Sequence, residues 1–305
     1  MSLILDMRSN IQRKRSHPSA VSSRYCAFAV LILVAAGCRS LGNRGPAAES
    51  VAACRNLSQQ GVGAMQRGEW EHAESLLGQA VETCPTNSDS RRYYAETLWH
   101  RGAREAAIEQ IRVAVADGAA PQIVVRAGEM LLATDQVDTA LAHAEEALNH
   151  DPTLASAWAL RGRVMRTTGR LDRALADHYR ALDFAPNDVA VLLEVAELQQ
   201  LRSQPQQVLT TVQHLLDLYP PGEQSPQALY QQGLAESQLR RYHDAVESFA
   251  AAARHDDSNV ELLFQLGRAQ LMAGQPTAAA ANLRRAVRLD ADHQRSIALL
   301  AQVPQ

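Results

Sequence analysis

Seven copies of one spacing constrain residues 54–293 more than any other feature of the chain. A small or branched aliphatic residue recurs at Ala73, Ala107, Ala140, Ala174, Val208, Ala245 and Ala279, at intervals of 34, 33, 34, 34, 37 and 34 residues. Four further columns keep the same phase. Seven residues later stand Ala80, Ala114, Ala147, Ala181, Leu215, Ala252 and Ala286. Twelve residues earlier stand Gly61, Ala95, Gly128, Gly162, Ala196, Gly233 and Gly267. Five earlier comes a turn column, Gly68, Gly102, Asp135, Gly169, Ser203, Arg240 and Gly274; twelve later a proline recurs at Pro85, Pro152, Pro186 and Pro220. Small residues at three fixed positions let two antiparallel helices approach closely. Glycine between them ends the first helix and proline stops the second. One such pair cannot bury its apolar face alone, so the copies must stack and share a continuous core. Alanine, the strongest helix former, is the commonest residue, and only 3 Trp, 7 Tyr and 4 Phe are present to build sheet cores. The reading is an all-α chain.

The five columns resemble the tetratricopeptide repeat, a helix–turn–helix unit of 34 residues. The copy at 155–188 carries the resemblance best, with Trp158, Gly162, Gly169, Ala174, Ala181 and Pro186 where that family has Trp, Gly, Gly, Ala, Ala and Pro. The copies run 54–87, 88–120, 121–154, 155–188, 189–222, 226–259 and 260–293, about 240 of the 305 residues. The second is one residue short, and 221–225 lengthen the turn after the fifth. The resemblance implies a right-handed superhelical solenoid of seven repeats. Residues 294–305, with Ile297, Leu299 and Leu300, read as a capping helix over the last pair.

The N-terminus differs in kind. Arg8, Arg13, Lys14, Arg15 and Arg24 precede an uncharged apolar run from Cys26 to Gly37. That run of 12 residues is short of the roughly 20 needed to span a bilayer, but it fits the core of an export signal. It ends Ala35-Ala36-Gly37-Cys38, which resembles the lipobox of bacterial lipoproteins, with Ala35 where leucine is commonest. The resemblance implies cleavage before Cys38 and its lipidation, with a membrane as partner through that anchor. The competing reading is an ordinary secretory signal with Cys38 incidental. Either Met1 or Met7 fits as the start. Residues 38–53 read as the lipidated Cys and a flexible tether. Arg39 after the Cys favours the periplasmic face of the outer membrane. Residues 1–37 carry five basic residues and Asp6, so their removal takes the net charge from −3 to −7.

Motifs that carry chemistry are missing. The chain has no phosphate loop, no dinucleotide fingerprint, no HExxH and no CxxC, and its sole lysine, Lys14, lies in the signal segment. We therefore expect no enzyme activity, no cofactor and no metal. A pI near 6.4 argues against a nucleic-acid partner. His178 falls in a large-residue core column and reads as a packed histidine. Cys54 and Cys84 open and close the first repeat. Antiparallel helices bring those ends together, which makes the two a candidate disulfide in an exported protein.

In tetratricopeptide proteins, positions 2, 5, 9 and 12 of each repeat line a concave groove that takes a protein or peptide. Carried over, the candidate groove residues are Arg92, Glu96, Trp99, Glu129, Arg163, Arg166, Glu197, Tyr230, Phe264 and Arg268. The lysine and asparagine clamp of chaperone-tail-binding members is absent from these columns. Trp99, Tyr230 and Phe264 read as exposed apolar anchors. Arg163 and Arg166 read as a cationic patch for an acidic stretch, with Glu96, Glu129, Glu197 and Glu261 flanking it and repelling acid elsewhere. The implied function is an envelope adaptor or scaffold. Lipobox, tether and repeat array resemble pilus-assembly pilotins, an outer-membrane-protein assembly subunit and a scaffold of cell-wall hydrolases. A regulatory or accessory subunit of an envelope enzyme, such as such a hydrolase, is the alternative.

Overall fold

The computed structural model describes residues 46–220 and 222–304, and among them it contains fifteen helices and no strand. In chain order these are α1 (Pro46–Gln66), α2 (Trp70–Thr83), α3 (Ser88–His100), α4 (Arg104–Ala116), α5 (Pro121–Leu132), α6 (Val137–His150), α7 (Ala155–Thr167) and α8 (Leu171–Phe184). There follow α9 (Val189–Leu201), α10 (Pro205–Asp217), α11 (Pro226–Gln238), α12 (Tyr242–Ala253), α13 (Val260–Met272), α14 (Pro276–Leu289) and α15 (Gln294–Leu300). The signal and lipidation readings, Cys38 included, lie outside the described residues. One boundary is corrected. Residues 46–53 are helical rather than tether, because α1 begins at Pro46 and carries Glu49 in its first turn, both suited to a helix N-terminus. Among the described residues no helix is long and apolar enough to cross a membrane.

Each helix packs on the next in sequence, and the first helices of successive pairs also touch, as α1 with α3, α5 with α7, α9 with α11 and α11 with α13. The odd-numbered helices therefore crowd along one side. The array is a solenoid whose core runs as a chain of adjoining apolar clusters rather than one central mass. Short α15 packs on α14 and α13 and closes the C-terminal end.

The seven residues of the turn column all have positive φ: Gly68, Gly102, Gly169 and Gly274 at 73–83°, Asp135 at 59°, Ser203 at 55° and Arg240 at 58°. Each turn ends the first helix in a Schellman motif. In the fourth repeat Gly169 N–H donates to Arg166 O at 3.0 Å and Arg170 N–H to Met165 O at 2.8 Å. Four first helices are held at their N-termini by side chains. Asn87 accepts from Ser90 N–H, Asp188 from Ala190 and Val191, Ser225 from Ala228, and Asn259 from Leu262.

The two helices of a pair meet where a small residue on the first faces a larger one sixteen positions later. A Cβ on Gly61 would lie 2.5 Å from Leu77 Cγ, and one on Gly267 2.8 Å from Leu283 Cγ. Gly162 faces His178 and Gly233 faces Phe249 in the same way. In the second and fifth repeats the pair is Ala95 with Ile111 and Ala196 with Val212, all fully buried. Leu, Phe and His carry their bulk beyond Cβ and reach over the facing backbone, so only Gly fits there. Ile and Val keep their bulk at Cβ and leave room for a methyl. The third repeat breaks the rule. Ala144 is small, and the space over Gly128 is filled by Leu160 of the next repeat, 2.5 Å from the missing Cβ.

Candidate functional site

The odd-numbered helices present positions 2, 5, 9 and 12 along one face, and three cavities open there. The first, of about 670 Å³, is lined by Cys54, Ser58, Val62, Cys84, Ser90 and Tyr93. The second, of about 430 Å³, is lined by Arg92, Glu96, Val125, Arg126 and Glu129. The third, of about 420 Å³, is lined by Glu197, Gln227, Tyr230, Gln231, Asn259 and Glu261. Seven of the ten groove candidates lie in these walls or in the ion pairs joining them.

The charges of this face neutralise one another. Arg126 sits at position 6 of the third repeat. It grips Glu96 with two parallel bonds, Nε to Oε1 at 2.6 Å and Nη2 to Oε2 at 2.7 Å, and donates from Nη1 to Glu129 Oε2 at 3.0 Å. The two carboxylates hold the Arg126 guanidinium above its ordinary value, against its partial burial. Arg163 takes the other Glu129 oxygen at 3.1 Å and lies 3.5 Å from Glu194. His178 Nε2 approaches the far oxygen of Glu194 at 3.3 Å. Arg166 pairs with Glu197 at 2.7 Å, and Glu261 pairs with Arg295. The result is a ladder that alternates in sign across α3, α5, α7 and α9.

Two expectations are therefore corrected. Arg163 and Arg166 are not an open cationic patch: each already holds a carboxylate from a neighbouring repeat. Glu96, Glu129, Glu197 and Glu261 do not act as free repellers for the same reason. The inner-face cations without a carboxylate partner among the described residues are Arg92, whose guanidinium stacks 4.1 Å over Tyr93, and Arg268, together with Arg55 beside the first cavity. Arg126 and Glu194 escaped the sequence reading because both stand at position 6, outside the four lining columns. The signal was present as opposite charges 30 to 34 residues apart, such as Glu96 with Arg126 and Glu129 with Arg163.

The aromatic expectation is corrected in part. Phe264 is only 6% exposed. The cap covers it, with the His293 ring edge-on at 5.6 Å and the Arg295 guanidinium 5.0 Å above. Trp99 is half-buried against the second repeat's core and under Arg104 at 5.0 Å. Tyr230 is half-buried and tilted against Phe249 at 5.8 Å, but it still forms part of the third cavity wall. Burial, with Glu261 adding to it, pushes the Tyr230 hydroxyl above its usual value, so it stays a hydrogen-bond donor.

The wall of the third cavity mixes the carboxylates of Glu197, Asp256 and Glu261 with the amides of Gln227, Gln231 and Asn259. Gln200 Oε1, Gln231 Oε1 and Ser237 Oγ are buried and without a hydrogen-bond partner. A buried acceptor left unpaired is costly, so such atoms mark places where a donor belongs. Among the described residues no group of three or more His, Cys, Asp or Glu side chains could hold a metal ion.

A sequence profile of the tetratricopeptide repeat matches residues 59–122, 125–189 and 230–293, more than half of the chain. The protein belongs to the tetratricopeptide repeat family. No curated protein sequence matches it. Among solved structures, a tetratricopeptide repeat protein from Parabacteroides merdae superposes with a TM-score of 0.58 at 15% identity, over 83% of this chain and 99% of that one. Pseudomonas aeruginosa PilF gives 0.52 at 19% identity, with the same coverage of 83% and 99%. YrrB, described as a TPR protein with an unusual peptide-binding site, gives 0.51 at 19% identity over 58% of this chain and 90% of its own. At these identities the likeness is one of fold. Tetratricopeptide arrays are protein-interaction scaffolds, and the present chain has that architecture.

Proposed function

We propose that this protein is a non-catalytic adaptor that holds an extended or helical segment of a partner along its inner face. The observation that carries the reading is the set of unpartnered acceptors on the inner-face helices, Gln231 in the wall of the third cavity with Gln200 on α9 and Ser237 on α11. A partner's backbone or side-chain N–H groups would satisfy them. With the middle charges already paired, the segment that fits is polar and near neutral there rather than acidic. YrrB, similar in fold, supplies a peptide-binding precedent. A photocrosslinking residue at Gln227 should capture a partner peptide in cells, whereas one at the outer-face Tyr179 should not. Equal capture at both, or capture at Tyr179 alone, defeats the groove as the site.

The proposal includes the anchor. Cleavage before Cys38 and acylation there would hold the adaptor at the cell envelope, on the periplasmic face of the outer membrane. The support is the apolar run that stops at Cys38 and the small residues before it. One acyl chain binds a membrane marginally, while several hold a soluble array firmly. Membrane fractions should retain the natural protein and lose Cys38→Ser. An unmodified Cys38 in the mass spectrum of the mature chain would rule the anchor out.

A further inference from the structure

We infer that Cys54 and Cys84 are an oxidation site, closing to a disulfide that locks α1 onto α2 in the first helix pair. The geometry is reciprocal. Cys54 Sγ–H donates to Ala80 O at 3.6 Å, one helical turn before Cys84. Cys84 Sγ–H donates to Ser50 O at 3.8 Å, one turn before Cys54. Each thiol thus rests on the last turn leading to the other, and the two side chains cross in the same gap between antiparallel helices. Both are free thiols, and both line the first cavity. Among the described residues no other cysteine competes for either.

The two sulfurs have different access, which orders the chemistry. Cys54 is 2% exposed and shielded by Ser90, whose Oγ lies 3.8 Å from its Sγ. Cys84 is half-buried at the C-terminal end of α2 and is reached first. Its thiolate attacks a disulfide-bearing oxidant RSSR, forming a Cys84–SR mixed disulfide and releasing one RSH. The Cys54 thiolate then attacks Cys84 Sγ and expels the second RSH. Two protein thiols are oxidised to one disulfide, and RSSR is reduced to two RSH. The neighbouring Cys54 and burial push the Cys84 thiol up to about 11, so little thiolate exists at neutral pH. Oxidation of the folded protein is therefore slow near pH 7 and quickens by about tenfold per pH unit below that value.

The position gives the bridge its consequence. Among the described residues the first pair has a neighbouring repeat on one side only, through α3, so it is the natural starting point for local opening. A bridge across the loop from Cys54 to Cys84 constrains that opening directly. The test uses the purified protein exposed to glutathione disulfide at pH 7 and pH 9, followed by non-reducing peptide mapping and hydrogen exchange. The expected product is one crosslinked peptide pair joining Cys54 to Cys84, formed faster at pH 9. Exchange in α1 and α2 should slow at least tenfold while α13 and α14 are unchanged. Cys54→Ser should stop at the Cys84 mixed disulfide, and unchanged hydrogen exchange in α13 and α14 should show that the variant still folds. Glutathione retained separately on both cysteines of the natural protein overturns the bridge. A bridge that leaves α1 exchange unaltered overturns the lock.

Discussion

The aromatic ring of Phe249 occupies the space that a side chain on Gly233 would need: a Cβ built there would meet ring carbons at 2.7 Å. Both residues are buried in the sixth repeat, where the ring also packs on Tyr230. Gly233→Ala should therefore cost about 1–3 kcal/mol, the usual penalty of overpacking a core. The natural Ala196–Val212 pair says how to relieve it. With Phe249→Val in place, the same Gly233→Ala change should cost far less. A double-mutant cycle by urea denaturation should show coupling of about 1–2 kcal/mol between the two positions. Additive effects would mean that the ring moves aside freely.

Three turns carry a side chain where the backbone favours glycine. Arg240 and Ser203 sit at φ 58° and 55°, a region that strains residues with a Cβ. Arg240→Gly and Ser203→Gly should each stabilise the array by about 0.5–1 kcal/mol, after allowing for the greater entropy of glycine in the unfolded chain. Asp135→Gly should gain less, because aspartate tolerates this conformation better. Gly169→Ala should lose about 1 kcal/mol. Urea midpoints at constant slope are the measurement.

The fold was legible because a solenoid repeats its physics. The turn column, read from spacing alone, includes Asp135, Ser203 and Arg240, and all three adopt the same backbone as the glycines. Periodicity outvoted residue type at those sites. What spacing could not carry was contact between repeats. Arg163 and Glu129 hold equivalent positions in adjacent copies, so each column by itself shows a lone charge and only the stack shows a pair. Phe264 hid for a related reason. Its inner-face column is open until the next first helix covers it, and α15 with its N-cap His293 supplies that cover through His293 and Arg295. The start of α1 at Pro46 lies before the first repeat boundary, where the 34-residue period gives no information.

Arg126 is the hinge of the inner-face ladder, shared by Glu96 and Glu129 on α3 and α5. Its replacement by Ala leaves the partly buried Glu96 carboxylate without a cation and leaves Glu129 to Arg163 alone. The expected loss is about 1–3 kcal/mol, less than for a fully buried pair because about 30% of the Arg126 side chain remains exposed. Adding Glu96→Gln to Arg126→Ala should recover part of it. Chemical denaturation of the two variants checks both statements. Equal stability of Arg126→Ala and the natural protein would show the ladder to be energetically idle.

His178 makes stability depend on acid. It fills the core column beneath Gly162 with 0% exposure, in the place taken by Leu77 and Leu283 in the end repeats. Burial, with the Arg163 and Arg166 charges from α7 acting in the same sense, holds its imidazole down at about 4 against an ordinary 6.5. Asp177 on its own helix pulls the other way. Glu194 of α9 stands 3.3 Å from Nε2, and burial raises that carboxyl, so it is a weaker counter-charge in acid. The folded value is depressed, so the unfolded chain binds the proton first. The stabilisation is complete above pH 6.5 and fades as pH falls towards 4, by about 3 kcal/mol in all. His178→Leu removes the group and keeps the packing that Gly61 with Leu77 already displays. Unfolding free energy should therefore fall less steeply between pH 6.5 and 4 in His178→Leu than in the natural protein. Parallel curves through that window would show that the histidine is protonated in the fold and that its neighbours compensate it.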